Sequence, residues 1–353
     1  MTTLSPLSAS GAACVAELAD AAADAVSQRF LDPTLPGYVA YGPQGQKACR
    51  QDILHHLQFL VPAAELGSSQ PFVDYVRWLA VVLASRGVPV AHLGSSLEWL
   101  ADFYEGRLAP ADSLSLGSIL ADARDALREA PSVVALKSVP ESWSECEAFT
   151  EALVRGDAAE SAAIFRRVAT EGRFVETELH LVQPALYEIG RGWQENRVSV
   201  AQEHLATAMV NGLLAREIGK VEPAPPTGRR IVLACVEGNQ HALGLQLVAD
   251  AFEVAGWETT FLGASTPVRS LVDLVVAKPP DVIAFSITLP HHLAGVRHAV
   301  TALRQRLGGA CPPILVGGLA VNQLPAIAQA IGADLFATDA AAAVRVVQEH
   351  LAG

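Results

Sequence analysis

From residue 228 onward, short apolar runs alternate with longer stretches whose apolar residues recur every three or four positions. The short runs are RRIVLACV (229–236), ETTFLG (258–263), DVIAFSIT (281–288), PPILVGG (312–318) and ADLFAT (333–338), all strand-like in their Val, Ile and Phe content. Between them lie the helical patterns HALGLQLVADAFEVAG (241–256), TPVRSLVDLVVAK (266–278), HLAGVRHAVTALRQRL (292–307) and QLPAIAQAIG (323–332). DAAAAVRVVQEHL (339–351) closes the chain. Five β–α units in succession predict a parallel sheet with helices on both faces. Five strands fit a flavodoxin-like, Rossmann-type winding, whose ligands bind at the carboxyl ends of the strands near the switch point.

Upstream the pattern is helical throughout. SECEAFTEALVRG (144–156), DAAESAAIFRRVATEG (157–172), FVETELHLVQPALYEIGRGW (174–193) and SVAQEHLATAMVNGLLAREIGK (199–220) predict a four-helix bundle with short turns. Asp157 with Glu160 comes close to a capping box, and Ser199 with Gln202 forms a true one. FVDYVRWLAVVLASRG (72–87) and HLGSSLEWLADFYEGRL (92–108) belong to a separate all-helical domain, with globin-like packing as one arrangement it could take. Two proline-bearing stretches, APSVVALKSVPES (130–142) and VEPAPPTG (221–228), read as linkers. The expected division is therefore 1–135, 140–220 and 228–353.

Composition narrows the class. The 353 residues are 51% hydrophobic and carry a net charge of -12, with no basic run, which argues against a nucleic-acid partner. Cys14, Cys49, Cys146, Cys235 and Cys311 lack metal-ligand spacing and read as reduced thiols. No secretory signal and no apolar run long enough for a membrane span are found, so a cytoplasmic protein is expected.

Chemistry points to EGNQHALG (237–244), in the first β–α turn, where a dinucleotide binder would carry G-x-G-x-x-G. Only Gly238 and Gly244 are present, at the wrong spacing, so phosphate cradling is not expected. A neutral imidazole at His241 would point out of the sheet edge as a metal ligand, with Asn239 placed to accept its other ring proton. Gly244 would let a bulky group approach the helix start. Gly263 after the second strand, Ser286 and Thr288 after the third, and Gly317 and Gly318 after the fourth converge on that edge. Small hydroxyls and paired glycines there leave a slot.

Taken together, Asn239-x-His241-x-x-Gly244, Ser286-x-Thr288 and Gly317-Gly318 resemble the cobalamin-binding Rossmann-like domain. The resemblance implies that His241 ligates cobalt from below and that the displaced dimethylbenzimidazole tail enters the slot between Ser286 and Gly317–Gly318. Asn239 stands where many members have an acid. It keeps an acceptor but brings no charge to the histidine.

The bundle adds a second resemblance. Trp193, followed by Glu203 and His204 across a turn, is similar to the cap of light-sensing cobalamin proteins. There the tryptophan covers the upper axial group and the Glu-His pair contacts the adenosyl moiety. The two resemblances cover about residues 140–353. Light-dependent cobalamin repressors have a histidine directly after the tryptophan; here Gln194 takes that place, so a bis-histidine photoproduct through it is not expected. Those repressors also begin with a basic DNA-binding domain, whereas the acidic helical N-terminal part resembles that of the photocobilins. This implies biliverdin as a second, non-covalent chromophore, with Arg77, Arg86, His92 and Tyr104 as candidate contacts. His55, His56, His180, His291, His292 and His298 read as ordinary helix and surface residues, although His291 and His292 follow SITLP, at the edge a cobalamin would line.

The expected protein is thus a light sensor and not an enzyme, holding adenosylcobalamin base-off and His-on. Photolysis of its Co–C bond would change domain or subunit contacts. A homo-oligomer or a separate output protein is the expected partner. The alternative is a corrinoid methyl-carrier protein that uses His241 and the same slot.

Overall fold

The structure is a computed structural model that describes residues 4–32, 42–129, 136, 137, 139–170 and 172–352. Its contacts form two compact units, Met1–Ala135 and Leu136–Gly353. The first predicted linker spans that boundary, and its residues 130–135 and 138 lie outside the described residues.

The first unit is helical: α1 (Ala9–Glu17), α2 (Ala19–Arg29), α3 (Pro43–Glu65), α4 (Gln70–Ser85), α5 (Val90–Tyr104) and α6 (Pro110–Ala126). The predicted helices over 72–87 and 92–108 are α4 and α5. Leu60, Phe72, Leu97, Leu100 and Ile119 are wholly buried among these helices. His56 belongs to this core. Its Nδ1 pairs with the Tyr75 hydroxyl at 2.9 Å, and burial pushes its imidazole down to about 3, so it stays uncharged.

The second unit begins with the four-rod bundle. Its helices are α7 (Cys146–Arg155), α8 (Ala158–Val168), α9 (Phe174–Thr177), α10 (Gln183–Gln194) and α11 (Val200–Glu217). Asp157 caps α8, accepting the Glu160 N–H at 2.9 Å, and the Ser199–Gln202 capping box on α11 is formed in full. The stretch 174–193 differs from the single α-helix expected, because a π turn at Glu178–Val182 joins α9 to α10. Pro184 accounts for it. Proline has no N–H for the carbonyl four residues back, so the helix widens and His180 is left with a free carbonyl. The Trp143 N–H takes that carbonyl at 3.0 Å.

After 221–228, which carries no helix or strand, comes the sheet. Strands β1 (Arg230–Ala234), β2 (Glu258–Phe261), β3 (Val282–Ser286), β4 (Ile314–Gly317) and β5 (Leu335–Phe336) are all parallel, in the order β2-β1-β3-β4-β5. That is the flavodoxin-like order, with its switch point between β1 and β3. Helices α12 (Leu243–Val254), α13 (Val268–Ala277), α14 (Leu293–Leu307) and α17 (Ala340–Ala352) match the predicted pattern. The stretch 323–332 does not. Two short helices, α15 (Leu319–Gln323) and α16 (Ala326–Ala330), replace one, because Pro325 forces Leu324 out of the helical region to φ -138° and ψ 85°.

Bundle and sheet share one apolar core. Leu247 and Ala251 of α12 and Ala340 of α17 are buried in the cluster that holds Phe149, Phe165, Leu181 and Leu213 of the bundle. The bundle is therefore packed onto the α12 side of the sheet, next to the helix that His241 precedes.

Candidate functional site

The loop after β1 carries the candidate ligand. Asn239 is wholly buried and spends both halves of its amide on backbone. Its Nδ2 donates to the Ser286 carbonyl at 3.0 Å, and its Oδ1 accepts the His241 N–H at 3.0 Å. The expected bond from Asn239 to the His241 ring is thus not formed. Asn239 instead pins the loop to the end of β3, across the switch point.

His241 is exposed at the mouth of this edge, and neither ring nitrogen bonds to a described residue. Desolvation lowers its pKa, against the opposing pull of the Glu203 carboxylate, so the neutral, metal-binding imidazole is favoured. Beside it, a Cβ built on Gly244 would meet nothing within 4 Å, so the helix start opens onto free space. The Ser286 hydroxyl likewise makes no hydrogen bond with a described residue. Among the described residues no group of three or more His, Cys, Asp or Glu could hold a bare metal ion. A single open imidazole next to free space suits a metal that brings its other ligands with it.

The remaining strand-end residues sit at the same edge. Gly263 follows β2 at φ +71°, and its carbonyl accepts the Cys235 N–H at 3.0 Å. Thr288 is half-buried just beyond β3. Gly317 pairs with Ser286 in the sheet register. The two glycines answer to the chain's own packing: a Cβ on Gly317 would lie 2.9 Å from the Ala337 carbonyl, and one on Gly318 would lie 2.8 Å from the Ile287 carbonyl. Gly318 also has φ +101°, which side chains rarely adopt.

The upper half comes from the bundle. Gly192 closes the turn between α10 and α11, its carbonyl accepting the N–H groups of Arg197 at 2.7 Å and Val198 at 3.0 Å. A Cβ there would lie 2.7 Å from Val198 Cγ2, so only glycine lets the turn close. This brings Trp193, half-buried against the bundle core, to the same end as Glu203 and His204. Glu203 is oriented from two sides, by His204 Nδ1 at 2.5 Å and by the Thr207 hydroxyl at 3.0 Å. Gln194, at the end of α10, is buried.

His291 and His292, expected as ordinary residues, lie directly after β3. His292 is buried, with its ring centroid 6.4 Å from that of His241, and its Nδ1 accepts the Leu289 N–H at 3.3 Å. The signal was its place directly after the third strand. Reasoning also missed a buried carboxyl pair, Glu178 and Asp250, each on the apolar side of its helix.

The four bilin candidates each engage the protein. Arg77 pairs with Glu129 at 2.8 Å, Arg86 donates to the Val82 carbonyl at 3.0 Å, and Tyr104 is buried with its hydroxyl 3.3 Å from the Val15 carbonyl. His92 packs against Phe30, ring centroids 5.5 Å apart. Arg77 and Arg86 are about 13 Å apart along α4 at the usual helical rise.

An open parallel sheet with one ligand-competent imidazole at its switch point and a helical cap beside it is the architecture of a holder for a metal macrocycle. The B12 binding domain family matches residues 229–347, and a second B12 binding domain family matches residues 145–216. The HTH-type transcriptional repressor CarA of Myxococcus xanthus is 35% identical over 144 residues, 40% of this chain and 46% of its own length. CarH of the same organism is 31% identical over 157 residues, 44% of this chain and 51% of its own. Dimethylamine corrinoid protein 3 of Methanosarcina acetivorans is 30% identical over 146 residues, 41% of this chain and 68% of its own. The chain belongs to the B12-binding family and is a cobalamin-binding protein. It spans about half the length of the two repressors it matches. No helix among the described residues is long and apolar enough to cross a membrane.

Proposed function

We propose that this chain is a light-responsive regulator that would hold adenosylcobalamin through the His241 imidazole. The observation that carries the reading is the shared end of the bundle where Trp193, Glu203 and His204 meet, with the Glu203 carboxylate acting on His241. The cofactor, when bound, supplies a cobalt–carbon bond that visible light can break. The chain's own residues do the rest. His241 offers a neutral imidazole, and the free Ser286 hydroxyl offers a hydrogen bond within the slot. Trp193 would pack against the bound group from the bundle end, and Glu203, fixed by His204 and Thr207, would offer it a carboxylate. The bundle that carries Trp193 and the α12 side of the sheet share one apolar core, and a packed interface of that kind changes between discrete arrangements. The readout is then a change of domain, subunit or partner contacts and not turnover. The bilin is not carried into this proposal, since its four candidates already hold partners in the helical unit.

The test is reconstitution of the full chain with adenosylcobalamin in the dark, followed by absorbance and elution volume before and after green light. An irreversible spectral change with altered elution is expected, and Trp193→Ala should retain the cofactor while changing the photolysis yield. The identity to dimethylamine corrinoid protein 3 favours a second reading, a methyl-carrying corrinoid protein. A preparation that exchanges methyl groups and whose contacts ignore light would replace the first reading with the second.

A further inference from the structure

The bundle meets the sheet through a charged contact placed in an apolar core. Glu178 opens the π turn, in the same rod that ends at Trp193. Asp250 lies on α12, the helix that begins two residues after His241. Glu178 is 0% exposed and Asp250 is 1% exposed, and around them lie Leu181, Val182, Leu247 and Ala251. Among the described residues both oxygens of Glu178 and the Oδ2 of Asp250 find no donor, although the two carboxyls are within hydrogen-bonding reach of one another. Two carboxylates are acceptors only, so the pair can bond only when one of them carries a proton. Gln246 donates to Asp250 Oδ1, which leaves Glu178 as the partner that holds that proton.

We propose that Glu178 and Asp250 form a proton-operated joint between the Trp193-bearing rod and the His241-bearing element, closed while they share one proton and loosened when it is lost. The inference goes beyond the cofactor reading and stands whatever the cleft holds. The charges acting on the pair are its own two carboxyls and, from α12, Glu253, all negative. Burial, then the charge and hydrogen bond of Asp250, raise the pKa of Glu178 well above the ordinary carboxylate value. Burial and, less strongly, Glu253 raise that of Asp250, against the lowering bonds from Glu178 and Gln246. The folded state therefore binds a proton that the unfolded chain has already released above the ordinary value. The joint's contribution is full below that ordinary pKa and falls as pH rises through the raised one.

The test is hydrogen–deuterium exchange of the full chain at about pH 6 and about pH 9, corrected for intrinsic rates, over the peptides carrying 174–182 and 246–254. Exchange should rise between the two in the wild type, by one decade for each pH unit by which the closed state keeps its proton above the lower pH. Glu178→Gln keeps a donor toward Asp250 at every pH, so its exchange should be flat and slow, and Asp250→Asn should behave alike. An equal rise in the variants and the wild type overturns the joint. The infrared band of a protonated buried carboxyl needs no substitution. Its presence at about pH 6 and loss at about pH 9 supports the proposal, and its absence at about pH 6 ends it.

Discussion

Replacing Asn239 by alanine removes the pin at the switch point and leaves two backbone groups without a partner. The Ser286 carbonyl loses the Nδ2 donor at 3.0 Å, and the His241 N–H loses the Oδ1 acceptor at 3.0 Å. Ser286 is 7% exposed, so water reaches its carbonyl poorly and the full desolvation penalty falls there, about 1–3 kcal/mol. His241 lies at the exposed mouth, where water can replace most of the lost bond, adding about 0.5–1 kcal/mol. Asn239→Ala should therefore cost about 1.5–4 kcal/mol, or a fall of about 3–16 °C in Tm for a unit of this size. Calorimetry of the cofactor-free full chain measures it. Cobalamin affinity should fall as well, because His241 loses its anchor while keeping its ring. Asn239→Asp keeps the acceptor but turns an oxygen toward the Ser286 carbonyl, so it should restore only part of the loss. A drop below about 1 kcal/mol would show that the loop does not depend on the amide, and the role assigned to Asn239 would be wrong.

His241→Ala should leave the cofactor-free Tm nearly unchanged, within about 0.5 kcal/mol, since the exposed ring makes no hydrogen bond with a described residue. The same variant should lose cobalamin on gel filtration, and intact retention with an unaltered lower-ligand spectrum would remove His241 as the ligand. Gly192→Ala drives a methyl into Val198 and should cost about 1–3 kcal/mol by urea unfolding. It should also shift the photolysis yield in step with Trp193→Ala, and a normal yield would detach the α10–α11 turn from the site.

Much of the second unit was legible because its signals are local. β1 and β3 are buried along almost their whole length, and the chain writes them as unbroken apolar runs bounded by turn residues. The Ser199–Gln202 box announced the start of α11 for the same reason. The failures are non-local. Pro184 signals trouble in a helix, but whether the chain kinks, breaks or inserts a π turn depends on who takes the His180 carbonyl, and that partner, Trp143, lies far back in sequence. Glu178 and Asp250 stand where helical periodicity calls for apolar residues, which was a usable signal. The pair itself was not legible, because nothing in the sequence says that the two helices meet.

The lower half of the site explains why motif and mechanism must be kept apart. Gly317 and Gly318 are demanded by the Ala337 and Ile287 carbonyls, and Asn239 by the Ser286 carbonyl and the loop it anchors. A chain that folds this sheet with this register needs those residues before any cofactor arrives. They identify a family that binds one, but they cannot distinguish a light sensor from a methyl carrier, because both need the same edge. The discriminating chemistry must lie where the fold leaves choice. His241 and Gly244 face open space, and Glu203 takes two polar partners on an exposed helix start that would stand without it. Trp193 is only half committed to the bundle core. Residues free of packing duty are the ones a cofactor's upper face can select, which is why the proposed function rests on the cap and not on the glycines beneath it.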